Sequence, residues 1–166
     1  MNANTRAEQA LMQEPGVRFK LNGHEVEGHA GETIIQVADR LGVEIPRLCY
    51  SNGLEAVGNC RACMVEVGGE RVLAASCCRT PSAGMEVRAD SERARQAQKM
   101  VLELLQSDLP ETSFTRHNEV DEWAGRLGVG KPRFAPRPAV QADHSHAAIA
   151  VNLDACIQCT RCLRAC

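Results

Sequence analysis

An α+β fold is predicted for this 166-residue chain by three features of its first half. Alternating apolar and polar residues flank an Asn-Gly pair, a short amphipathic stripe follows, and further β-type runs surround a cysteine-bearing loop. Val17, Phe19 and Leu21 alternate with polar residues up to Asn22-Gly23, and residues 24–29 resume with Val26 among polar neighbours. Asn and Gly both tolerate the positive φ of a type I′ turn, so the chain opens on a β-hairpin. Over residues 32–41, Ile34, Val37, Ala38 and Leu41 recur at i, i+3, i+4 and i+7, with Gly42 just past them. That is one face of a short helix with a glycine stop. Ile45 leads into a long loop holding Cys49, Cys60 and Cys63. Met64, Val65 and Val67 then read as a strand, Gly68-Gly69 as a turn, residues 72–75 as the partner strand and residues 85–88 as a closing strand.

Beyond this unit the period lengthens. Residues 91–106 place Ala94, Ala97, Val101, Leu104 and Leu105 on one side of a longer helix, with Ser91 as N-cap and Glu92 in the first turn. A second, weaker helix over residues 120–127 carries Trp123. Pro132, Pro136 and Pro138 mark residues 128–146 as a linker, after which Ile149, Val151 and Leu153 are strand-like. The expected organisation is a domain over residues 15–89, a helical segment over 90–129, a linker over 130–147 and a further, incomplete domain over 148–166. Aromatic mass is limited to Phe19, Tyr50, Phe114, Trp123 and Phe134. Any core is therefore mainly aliphatic, and metal ligation is expected to supplement it.

A formal net charge of −2 gives no reason to expect nucleic acid or an anionic membrane as partner. No apolar run approaches the ~20 residues of a membrane span. Residues 1–16 are polar and have neither an apolar signal stretch nor a twin-arginine pair, so a cytoplasmic location is expected. Cytosolic thiols are kept reduced, and close cysteine pairs there usually bind metal or do redox work. A disulfide framework would also leave one of the nine cysteines unpaired.

Eight of the nine cysteines fall into two spaced sets. Cys49, Cys60, Cys63 and Cys77 read C-x10-C-x2-C-x13-C, and Cys156, Cys159, Cys162 and Cys166 read C-x2-C-x2-C-x3-C. The first set suits a 2Fe-2S cluster, whose two irons take four thiolates from a shaped loop and one more distant strand. Gly58 and Ala62 are small enough to let backbone N–H groups approach the sulfurs and tune the potential. Structural zinc is the alternative for four thiolates, although zinc sites more often use two tight cysteine knuckles and only one pair here is tight. By spacing alone, Cys78 could replace Cys77 as the fourth ligand.

The second set is the bacterial ferredoxin run, in which the first three cysteines bind one 4Fe-4S cluster and the fourth ligates another. Cys156, Cys159 and Cys162 would then share a cluster, and Cys166 would serve its neighbour. In the alternative, Cys166 completes the first cluster. A two-cluster domain needs a second such run, so the chain is expected to be the N-terminal part of a longer polypeptide. His117 lacks the following cysteines of an iron-sulfur motif and reads as a surface or helix-end residue. Arg61, Glu66 and Asp90 read as solvated charges, and no catalytic group is expected.

The runs Leu48-Cys49-Tyr50, Gly58-Asn59-Cys60-Arg61-Ala62-Cys63-Met64-Val65-Glu66-Val67, Ala75-Ser76-Cys77 and Gly84-Met85 resemble a known 2Fe-2S ferredoxin domain. It is shared by the large iron-sulfur subunit of complex I, iron-only and NAD-reducing hydrogenases, and the alpha subunit of cytoplasmic NAD-dependent formate dehydrogenase. The resemblance implies a β-grasp fold over residues 17–89. It also favours Cys77 over Cys78, because Gly84-Met85 matches the family pattern from Cys77. Complex I and the hydrogenases usually carry an H-x3-C-x2-C-x5-C site after this domain, whereas no cysteine lies between Cys78 and Cys156. With Trp123-Ala124 and residues 151–156, this makes the chain most similar to the formate dehydrogenase alpha subunit.

That resemblance implies an electron-transfer segment of an oxidoreductase. A molybdenum or tungsten bis-pterin centre would lie in a further part of the polypeptide, and flavin- and NAD-binding subunits would be partners in a hetero-oligomer. An electron-transfer subunit of complex I or of a hydrogenase diaphorase is the rival reading. A zinc-stapled interaction module is the rival of another class.

Overall fold

The computed structural model describes residues 16–110 and 117–166. The polar opening over residues 1–15 and the aromatic Phe114 lie outside the described residues. Strands β1 (Val17–Leu21) and β2 (His24–Gly28) form the hairpin, followed by helix α1 (Ile34–Arg40), β3 (Met64–Val67), β4 (Ala74–Ala75) and β5 (Glu86–Arg88). Next come α2 (Glu92–Asp108), α3 (Glu119–Leu127), β6 (Asp143–His146), β7 (Ile149–Val151) and α4 (Arg161–Ala165). Among the described residues, no helix is long and apolar enough to cross a membrane.

The first five strands make one mixed sheet in the order β2-β1-β5-β3-β4. Leu21 pairs with His24 across the Asn22-Gly23 turn, where both residues take positive φ, 50° and 84°. Asn22 also accepts a hydrogen bond from the Ala89 N–H through Oδ1 at 2.8 Å, which ties the turn to the end of β5. β5 lies parallel to β1 and antiparallel to β3, so one of the shortest predicted strands sits at the centre of the sheet. Its single inward residue, Val87, is buried beside Leu21 and Val67. Sequence alternation over three residues cannot carry that placement.

Helix α1 packs on one face of this sheet and its N-terminus is fastened by Gln36, whose Oε1 accepts from the Thr33 N–H at 2.8 Å. The buried face is Ile34, Ile35, Val37 and Ala38. Leu41, expected on that face, is instead 45% exposed because it caps the helix and the chain turns away at Gly42. The strand expected over residues 72–75 is only Ala74–Ala75, paired to Val65 and Met64, and Val72 is exposed. Phe19, Ile34, Ile35, Val37, Ile45, Val65 and Val87 are the large buried residues of this first core.

A second, smaller core joins the cysteine loop to the helices. Leu48 and Ala62 from the loop meet Leu102 of α2 and Val120 of α3, with Trp123, Leu105 and Ile157 at its margin. Ser91 caps α2 by accepting from the Ala94 N–H at 3.2 Å, as the sequence indicates. The face it buries differs from the apolar stripe: Ala94, Gln98 and Leu102 are inside, while Leu104 is 44% exposed. Gln98 belongs inside because its Nε2 donates to the Met64 carbonyl at 2.8 Å and to the Ala89 carbonyl at 3.3 Å, capping the ends of β3 and β5. Asn118 caps α3 and Gly128 ends it in the left-handed region.

Residues 130–142 contain no helix or strand, but two arginines hold them in place. Arg137 donates to the carbonyls of Leu153 and Asp154 at 2.9 and 2.7 Å. Arg133 clasps Glu103 with its guanidinium at 2.7 and 2.8 Å and with its backbone N–H at 3.0 Å. The last four residues of the sequence-predicted linker, Asp143–His146, form a strand that pairs antiparallel with Ile149–Val151. Polar composition hides them, since neither strand buries a residue.

The Glu103–Arg133 pair yields a pH-dependence. Hydrogen bonding to Arg133 holds the Glu103 carboxyl well below its ordinary value of 4.5, at about 2. The folded value is depressed, so its stabilising contribution is complete above pH 4.5 and is lost as the pH falls toward 2. Urea midpoints measured across that window should fall more steeply for the wild type than for Glu103→Gln. Parallel curves would remove the pair from the acid response.

Candidate metal centre

The loop between α1 and β3 delivers three of the sequence-predicted ligands, and the turn after β4 delivers the fourth. Cys49, Cys63 and Cys77 are each buried to 1% exposure or less, and Cys60 is half-buried. The ninth cysteine, Cys78, is exposed beside Cys77, with the two sulfurs 3.6 Å apart. Spacing alone leaves these neighbours equivalent; the turn buries one and exposes the other.

The four sulfurs are arranged as two pairs. The Cys49 N–H points at Cys60 Sγ at 3.3 Å, and the Cys60 N–H points back at Cys49 Sγ at 3.5 Å. Across the site, Cys77 follows Ser76, whose N–H and Oγ both donate to the Cys63 carbonyl, at 3.1 and 2.8 Å, which makes Cys63 and Cys77 neighbours. Among the described residues, no three His, Cys, Asp or Glu side chains gather as a single-ion site requires. A 2Fe-2S cluster takes four thiolates, usually two per iron.

Local backbone produces this cradle. Gly58 is buried with φ 63°, a conformation that favours glycine, and a Cβ there would sit a tight 3.1 Å from Cys78 Sγ. Arg61 takes φ 58°, a conformation that costs a non-glycine residue about 1–3 kcal/mol and concentrates at binding loops. Arg61 directly follows Cys60, whose Sγ faces the Cys49 N–H. Ser76 Oγ donates to the Cys63 carbonyl at 2.8 Å, fixing β4 against the loop.

The thiols respond to this environment. Burial pushes Cys60 up to about 11 in spite of its two N–H donors. The hydrogen bond from the Cys77 thiol lowers Cys63 to about 6, and the same bond with burial drives Cys77 upward. Thiols bind a metal as thiolates, so ligation of a cationic centre by this set releases protons.

The second cysteine set lies at the surface. Cys156, Cys162 and Cys166 are exposed and Cys159 is half-buried, with Cys162 on α4 and the others flanking or ending it. Gln158 and Thr160 take φ 55° and 59°, and the Gln158 N–H reaches Cys156 Sγ at 3.4 Å. His117 is exposed near the start of α3, and Arg61 and Asp90 are exposed. Glu66 is half-buried, with Arg88 at 3.9 Å.

Two arginines that the sequence does not single out join the two cysteine sets. Arg164 Nη2 donates to the carbonyl of Cys49 and, at 3.2 Å, to that of Cys159; its Nη1 donates to the Glu55 carbonyl and its Nε to Thr160 Oγ1. Arg161 reaches the Tyr50 carbonyl at 3.3 Å and pairs with Glu119 of α3 at 2.5 and 3.1 Å. A basic residue inside a cysteine run is the only signal available in the sequence, and it does not name the acceptor.

Residues 14–92 match the family model of a 2Fe-2S iron-sulfur cluster binding domain. This stretch is a 2Fe-2S cluster-binding domain. The mixed sheet with its helix is consistent with a 2Fe-2S ferredoxin fold. The chain is 36% identical over 155 residues to the mitochondrial NADH-ubiquinone oxidoreductase 78 kDa subunit of Candida albicans, covering 89% of this chain and 22% of that protein. It is 33% identical over 168 residues to the corresponding 78 kDa subunit of Neurospora crassa, covering 96% of this chain and 23% of that one. A crystal structure of an NAD+-reducing [NiFe]-hydrogenase in the H2-reduced state superposes with TM-score 0.79 at 27% identity, over 90% of this chain and 65% of the other. The 2Fe-2S domain is thus of the type found in the 78 kDa oxidoreductase subunit and in NAD-reducing hydrogenase. The chain spans less than a quarter of the length of these curated relatives.

Proposed function

We propose that Cys49, Cys60, Cys63 and Cys77 ligate the 2Fe-2S cluster and that the chain is the electron-transfer segment of an NAD-linked oxidoreductase. The observation that carries this reading is the convergence of four cysteines, Cys49 facing Cys60 and Cys63 held beside Cys77 through Ser76, inside a backbone cradle. When bound, the cluster supplies one-electron storage. The chain's own residues hold it, keep bulk water from three of its four sulfurs and aim N–H groups that stabilise the more negative reduced form. Cys156, Cys159 and Cys162 would hold a 4Fe-4S cluster and Cys166 part of another, which extends the relay toward the surface. The partners are a flavin- and NAD-binding subunit on one side and a substrate-oxidising centre on the other, within a hetero-oligomer in the cytoplasm.

Within this reading two enzymes compete. The curated relatives and the hydrogenase structure favour an NADH-ubiquinone oxidoreductase or hydrogenase context. The absence of any cysteine between Cys78 and Cys156 favours a formate dehydrogenase alpha subunit with a molybdenum or tungsten bis-pterin centre elsewhere. Anaerobic EPR of the native complex, reduced in parallel with formate and with NADH, separates them. A 2Fe-2S signal that develops with formate places the chain in a formate dehydrogenase. A signal with NADH alone gives the complex I or diaphorase context, and no signal with either donor or with dithionite rejects the cluster assignment.

A further inference from the structure

We infer that Arg164 is a positioning residue that docks the second cysteine set on the first and raises the potential of the cluster held by Cys49, Cys60, Cys63 and Cys77. The inference rests on the iron-sulfur reading proposed above. One guanidinium nitrogen, Nη2, is shared between the carbonyls of Cys49 and Cys159, so each of the two cysteine loops contributes an acceptor to the same donor. Nη1 and Nε take a third and fourth acceptor, at Glu55 and Thr160. Only the planar fork of an arginine presents donors in that many directions at once; an ammonium group is a point charge on a flexible stem.

The surroundings concentrate this role on Arg164. Helix α4 buries none of its residues, so it has no core of its own to fix its position. Apart from Arg164, the described contacts between residues 156–166 and the first domain are the Arg161 bond to Tyr50, the Asn59 Nδ2 bond to Thr160 Oγ1 at 3.3 Å, and Ile157 at the edge of the second core. The bond to Cys49 also places positive charge on the peptide of a residue proposed to ligate the 2Fe-2S cluster. Reduction adds a negative charge to the cluster, and a fixed positive charge at the ligand's own carbonyl favours the reduced state.

The test uses the full 166-residue chain, reconstituted anaerobically with iron and sulfide, as wild type, Arg164→Lys and Arg164→Gln. An EPR-monitored redox titration should show Arg164→Gln lowering the 2Fe-2S midpoint by about 59 mV, a tenfold change in the one-electron equilibrium constant. Amide hydrogen exchange over residues 156–164 should speed up roughly tenfold in the same variant, as docking is lost. Arg164→Lys should retain much of the potential, because it keeps the charge, and should exchange as fast as Arg164→Gln. An unchanged midpoint with unchanged exchange in Arg164→Gln overturns the inference. The exchange arm also runs on iron-free chain: if dithionite gives no signal even in the wild type, the iron-sulfur reading fails, while docking by Arg164 is still decided.

Discussion

Cys77→Ala should abolish the 2Fe-2S signal, and Cys78→Ala should leave it intact. The two residues are chain neighbours with sulfurs 3.6 Å apart, so a test that separates them is a test of the turn that carries them. Cys77 is fully buried, while Cys78 is exposed and its sulfur lies against Gly58. Replacing groups that merely support metal ligands costs about 10–100-fold in affinity. Removing a ligand should exceed that, since one iron is left with a single protein thiolate. The measurement is iron and acid-labile sulfide per chain, with the EPR spectrum after dithionite. A full signal in Cys77→Ala together with its loss in Cys78→Ala would reverse the assignment.

This contrast also separates what residue patterns reveal from what only packing decides. The Asn22-Gly23 hairpin, a helix over the α1 stripe and the Ser91 cap are all local patterns, and each element lies where the sequence puts it. The failures share a different cause. Leu41, Val72 and Leu104 are apolar but exposed, and Gln98 is polar but buried, because burial is settled by what packs opposite and not by period. β5 is only three residues long and gains its central place from two long-range pairings, one of them parallel. The arginine contacts to Cys49, Tyr50 and Cys159 span up to 115 residues and end on carbonyl groups, which every residue possesses. No pattern of side-chain types can announce such an acceptor.

Phe19→Ala should cost the first domain about 3–5 kcal/mol, the usual range for truncating a buried aromatic ring. Phe19 lies on β1 at 1% exposure and is the one phenylalanine in a core otherwise built mainly from Ile, Val, Leu and Ala around Tyr50. Its ring lies against the backbone of Gly28 on the paired strand: a Cβ there would fall 3.5 Å from the ring edge and 3.3 Å from Val37 of α1. The ring therefore fills the space between hairpin and helix, and no neighbouring side chain is large enough to take it over. A domain of this size is typically stable by about 5–15 kcal/mol, so the loss would remove a large share and lower the urea midpoint accordingly. Leu41→Ala is the control, expected within about 0.5 kcal/mol because the side chain is exposed. The comparison should be made on iron-free chain first. Cluster ligation by the four cysteines, as proposed, would add folding free energy by linkage and mask part of the deficit. If Phe19→Ala and Leu41→Ala unfold at the same urea concentration, the hydrophobic core is not what holds the iron-free domain together.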